Sequence, residues 1–191
     1  MTVDAGGTPG DTLVVDQTRR WIQRFVVDLN LCPFARRELD AGRARFAVTR
    51  ARSPEGVLAA LREELAVLLG DTTIATSFLI HPDTLGDFLA YNDFLGEADR
   101  ALRLGGLEGV FQIASFHPDY QFAGTAPGDA ENFSNRSPWP MLHLLREDSV
   151  AAAVAQHPDA GGIPERNIAM LRQMGAEALH ARLRACLDRQ L

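Results

Sequence analysis

One triplet occurs three times in the chain, as His81-Pro82-Asp83, His117-Pro118-Asp119 and His157-Pro158-Asp159. It joins the side chain that titrates nearest neutrality to a carboxylate able to orient it. Turn chemistry alone accounts for such a triplet, with proline breaking a strand and Asp capping the next helix. His117 invites more, because it opens a long polar segment and has Asp119 and Tyr120 beside it. The expectation is a general base at His117, oriented by Asp119.

A second group lies downstream: Asn132, Asn135, Arg136, His143 and Arg146. With Ser137 as N-cap and Pro138 in the first turn of a helix, Arg136 would meet the positive end of a helix dipole. A cation persists there only opposite a carboxylate or a bound anion. Counted as helix from Met141, the segment turns Met141, Leu142, Leu144 and Leu145 to the core and His143, Arg146 and Glu147 away from it. A solvated face explains that arc; alternatively the long loop folds over it, and the five residues converge on a small anionic molecule. His143 and Glu147 have a spacing that suits two metal ligands, but no H-E-x-x-H and no Cys cluster accompanies them. No metal and no cofactor is therefore expected. Cys32 and Cys186 lie far apart and match no disulfide framework, which fits a reducing compartment, with the cytoplasm as the default.

These residues must be held by elements that the pattern also announces. Val14, Thr18, Trp21, Ile22, Phe25, Val26 and Leu29 recur at helical spacing behind Asp11, and the helix ends before Pro33. A strand comes next, over Ala44 to Thr49. Ser53 and Pro54 start a helix on Leu58, Leu61, Leu65 and Leu68. Thr72 to Ile80 reads as a buried strand, Asp83 as the cap of a long helix ending at Gly105 and Gly106, and Val110 to Phe116 as a third strand. Pro118 to Ser137 is too long for an idle connector. Helix is expected again from Pro138 to about Ala155, and a last helix over Ile168 to Leu187.

The order β-α-β-α-β predicts an α/β fold: a small three-stranded parallel sheet with an extra N-terminal helix and two C-terminal helices, the alternative being an α+β two-layer sandwich. Parallel strands would bring His81 and His117 to one carboxyl edge, where open α/β sheets bind ligands. The first strand, bracketed by Arg43, Arg50 and Arg52, reads as a sheet edge. That would leave the second and third strands as neighbours.

The chain has 191 residues, which suits one domain over 11–191 behind a disordered tail, 1–10. Its net charge of -6 argues against nucleic acid or an anionic membrane as partner. All 19 basic residues are arginine, which excludes a Schiff-base lysine, a Walker lysine and a kinase lysine. Between Arg36 and Arg52 stand six arginines against Glu38 and Asp40, either a guarded edge or a surface for an acidic partner.

Leu31-Cys32-Pro33-Phe34, Ser115 to Phe122, Asn135 to Glu147 and Ile163 to Ile168 resemble strings of a bacterial family, domain of unknown function 1415. The resemblance covers nearly all of the chain after the tail. It implies a bacterial protein and carries no activity, cofactor or catalytic residue with it. From the residues themselves, the expected function is a small enzyme working by hydrolysis or proton transfer on an anionic metabolite, with a His base and an Arg clamp. The alternatives are a non-catalytic anion- or metal-binding module and a protein-interaction domain.

Overall fold

The computed structural model describes residues 9–188. Of the expected tail, residues 1–8 lie outside the described residues, while Pro9 and Gly10 form the first turn of α1 (Pro9–Trp21). That helix widens into a π-helical stretch, Ile22–Val27, and buries Trp21, Ile22 and Phe25. A short helix α2 (Ala35–Asp40) leads to strand β1 (Ala44–Val48). Helix α3 (Pro54–Gly70) starts as its sequence dictates, for the Ser53 side chain accepts the Gly56 N–H and Pro54 occupies the first turn. Val57, Leu61, Leu65 and Leu68 form its buried stripe.

Strand β2 (Thr76–Ile80) is buried along its whole length. Helix α4 (Phe88–Leu104) is capped by Asp87 rather than the expected Asp83, its side chain accepting the Ala90 N–H at 2.9 Å. The chain uses the residues between for a turn in which Leu85 has φ 59. That left-handed conformation costs a non-glycine residue of order 1–2 kcal/mol.

Strand β3 (Phe111–Phe116) comes next, and here expectation and structure part. Met141–Arg146, read as helix, is a fourth strand, β4, and α5 (Glu147–Gln156) begins only after it. The strand order is β1-β2-β4-β3, with β1 parallel to β2 and β4 antiparallel to both its neighbours. The sheet is therefore four-stranded and mixed, and β2 and β3 are not adjacent. The misreading has a physical source: a central strand is buried on both faces, so it shows no period-two alternation. Met141, Leu142 and Leu144 are all fully buried. The last helical region also divides, at Gly175 with φ 80, into α6 (Ile163–Met174) and α7 (Ala176–Leu187), making three C-terminal helices rather than two.

Both sheet faces are covered, which sets aside the two-layer alternative. On one, Ala47, Leu79, Leu142, Leu144 and Phe111 pack with α3 and α4. On the other, Phe46, Phe78, Ile80 and Met141 pack with α1 and the π-helical stretch, and the same core continues into α6 and α7. Partners in register share a face, so Phe46, Phe78, His143 and Ala114 form one cross-strand row. No helix among the described residues is long and apolar enough to cross a membrane.

Tyr91 of α4 bridges the adjacent strands β4 and β3 where Phe116 faces Met141. Its buried hydroxyl donates to the Met141 carbonyl at 2.8 Å and accepts the Phe116 N–H at 3.1 Å. Tyr91→Phe should remove both hydroxyl bonds at this pair and cost about 1 to 2 kcal/mol, read as a lower urea midpoint with an unchanged denaturant slope. An unaltered midpoint would mean that the ladder closes without the hydroxyl.

Candidate functional site

Because β2 and β3 both run antiparallel to β4, the ends of β2 and β3 lie at one sheet edge, one strand apart. His81 and His117 each come directly after one of these strands, as the triplet pattern implied. Between them is Pro140, whose carbonyl accepts the His81 N–H at 3.1 Å. Both imidazoles flank the Tyr91 ring, with centroids at 5.8 Å and 5.1 Å.

Burial and backbone partners define what each imidazole can do. His117 is fully buried, its Nε2 lies 3.1 Å from the Leu85 carbonyl, and its Nδ1 accepts the Asp119 N–H at 3.0 Å. A carbonyl can only accept, so Nε2 carries the proton and both ring nitrogens are engaged. Asp119 meets His117 through its backbone, and its exposed side chain lies in the field of Arg136 and His180. Burial holds His117 below its ordinary pKa, with the charges of Asp119 and Asp87 opposing that displacement.

His81 is different. Its Nδ1 faces the Thr84 carbonyl at 3.1 Å and so carries the proton, while Nε2 is buried with no hydrogen-bond partner among the described residues. Desolvation pushes its pKa down to about 4, and the neighbouring His117 acts in the same direction. The turn that covers it contains the strained Leu85, and Thr84 Oγ1 ties the turn to the Ala51 carbonyl.

The long loop brings Asn132, Asn135 and Arg136 together beside His117, and their polar groups bind the loop itself. Asn132 Oδ1 accepts from Phe122 N–H and Thr125 Oγ1, and its Nδ2 donates to Ala126. Asn135 Nδ2 donates to the Ser115 carbonyl. Arg136 does not precede a helix at all, since the segment after it runs into β4 and the expected cap at Ser137 is absent. Only 6% exposed, it donates through Nε to the Tyr120 carbonyl at 3.1 Å and through Nη2 to the Pro127 carbonyl at 2.5 Å, above the Phe133 ring. Glu131, five residues before it, pairs with Arg172.

The remaining two residues lie elsewhere. His143 stacks on Phe78 at 4.0 Å, and its Nε2 lies 2.6 Å from Thr76 Oγ1, itself a donor to the Leu144 carbonyl. Burial pushes its pKa down to about 3. Arg146 stands at the far end of β4 and donates to the carbonyls of Leu68, Asp71 and Ile74, closing the C-terminus of α3. His143, Arg146 and Glu147 thus share no helical face, and His143 and Glu147 fall on a strand and on the helix after it. In the arginine-rich stretch, Arg43 pairs with Glu38, Arg45 with Glu64, and Arg50 with both Asp11 and Asp83.

The free nitrogen of His81, the bridging hydroxyl of Tyr91 and the exposed His180, edge-on to Phe133 at 4.7 Å, were not singled out by sequence. For His81 the signal existed in the triplet closing a buried strand; for His180 there was none. A family model described as a protein of unknown function (DUF1415) matches residues 13–181. No curated protein and no solved structure matches the chain.

Proposed function

The chain belongs to the DUF1415 family, and from that premise we propose that it is a small-molecule binding protein whose site is the carboxyl edge of the sheet, with the neutral imidazole of His81 as the recognising group. The observation that carries this reading is the unpartnered Nε2. A buried acceptor without a donor is rare and costs of order 1–3 kcal/mol, so it calls for a partner that arrives from outside.

With a pKa near 4, His81 stays neutral around pH 7 and offers a lone pair. That favours a ligand bringing a hydroxyl, amide or ammonium donor. An anionic metabolite is supported less, because Arg136 and Arg146 are both held by carbonyls and Asp83, Asp87 and Asp119 carry negative charge on the turns around this edge. Hydrolysis or proton transfer through His117 would first require its Nδ1 to give up the Asp119 N–H. The 82–87 turn presents the Thr84 carbonyl to His81 and the Leu85 carbonyl to His117, so a shift of this turn would loosen both imidazoles, and the strain at Leu85 lowers the cost of that step.

The test uses nitrogen-detected histidine NMR with small amino alcohols and, in parallel, with phosphate and acetate. Amino alcohols should move the His81 Nε2 resonance and raise the melting temperature, and His81→Phe should abolish both effects. Stabilisation by phosphate or acetate with the His81 resonance unmoved would overturn the reading.

A further inference from the structure

Away from the sheet edge, the C-terminal halves of α3 and α4 leave a groove of about 290 Å³ between them. Leu65 and Leu69 line it from one helix, Ala101 and Leu104 from the other, and Leu107 closes the end. Leu104 is 79% exposed and Leu69 52%. Single exposed leucines are ordinary, but two that flank one apolar concavity form a continuous patch.

Arg62 supplies the second observation. It lies on the same stripe of α3 as Leu65 and Leu69, lines the groove, and makes no ion pair or hydrogen bond among the described residues. The nearby Glu64 cannot serve it, since that carboxylate is buried against Arg45 and Ser77. An apolar groove with an unpaired cation on its wall is complementary to an apolar stripe that carries a carboxylate.

We infer that this groove docks an amphipathic helix of a partner protein, seating leucine-like side chains between Leu69 and Leu104 and placing an acidic residue against Arg62. Such docking would use the helix-in-groove mode, read by anchors at i, i+3, i+4 and i+7. The inference is independent of the site at His81.

The experiment uses a short helical peptide with leucines at that spacing and glutamates beside them, and a second peptide in which lysine replaces each glutamate. In amide NMR titrations the glutamate peptide should bind, with perturbations confined to the residues named above. Arg62→Glu should weaken it by roughly tenfold and make the lysine peptide the better ligand, while Leu104→Asp should abolish both. Both substituted side chains are exposed, so circular dichroism should show an intact fold. Equal affinity for the two peptides, binding elsewhere, or no binding would overturn the inference. So would concentration-dependent self-association of the wild type that Leu104→Asp removes, because the occupant would then be a second copy of this chain.

Discussion

Lowering the pH from 6.5 to 4 should unfold the protein. His81 is buried, His143 is half-buried with its ring stacked on Phe78, and desolvation pushes their pKa values down to about 4 and about 3, whereas an unfolded histidine titrates near 6.5. Below that value the unfolded chain binds protons that the folded chain refuses, so stability is full above about pH 6.5 and is lost as the pH falls through the two folded values. Each tenfold difference in proton affinity is worth about 1.4 kcal/mol, so the two groups together withdraw several kcal/mol, a large part of the stability of an ordinary domain. Glu131, held below its usual range by Arg172, adds a loss of the same sign at the acid end. Near-ultraviolet circular dichroism, reporting on Trp21 and Trp139, tracks the transition. His143→Phe keeps a ring against Phe78 without a titrating group and should move the midpoint to lower pH. A midpoint unchanged in both His143→Phe and His81→Phe would show that other groups govern acid stability.

The next largest loss is expected from Arg136→Ala. Two charge-assisted bonds to the carbonyls of Tyr120 and Pro127 tie the end of the long loop to its start and to its middle, and each such bond contributes about 1.5–3 kcal/mol. Removal should cost about 3 kcal/mol and lower the melting temperature by roughly 6 to 12 °C. Arg136→Lys should recover little, because a single ammonium cannot reproduce a fork that reaches two carbonyls at once. Phosphate or sulfate should leave the wild type unmoved. An Arg136→Ala protein as stable as the wild type, together with a wild type stabilised by sulfate, would instead make this guanidinium an anion site.

Local signals held at some places and failed at others, for Ser137 with Pro138 carries the same cap pattern as Ser53 with Pro54 and yet leads into β4. Ser53 with Pro54 started α3 as read, the arginine-flanked β1 is an edge strand, and the triplets at His81 and His117 do close two strands at one edge. The long loop gathers Asn132, Asn135 and Arg136 on its own backbone and on β3, while His143 and Arg146, expected to converge with them, stand elsewhere on β4. The features that escaped depend on backbone partners distant in sequence. Arg136 and Arg146 look like clamps because the carbonyls they bind leave no trace in residue types. Asp83 and Asp87 are equally good caps on paper, and the left-handed turn at Leu85 decided between them. Met141–Arg146 has helix-forming composition, and only the gap between β2 and β3 makes it a strand.

That late strand governs how the chain can assemble. Thr76 of β2 and His143 of β4 touch across 67 positions of sequence, so the centre of the sheet closes only after most of the polypeptide is available. Non-local pairing of this kind slows folding, and during synthesis β2 and β3 would wait with an unfilled slot between them. A chain ending before residue 141 would therefore be two separate edges facing each other, each with bare backbone toward the other.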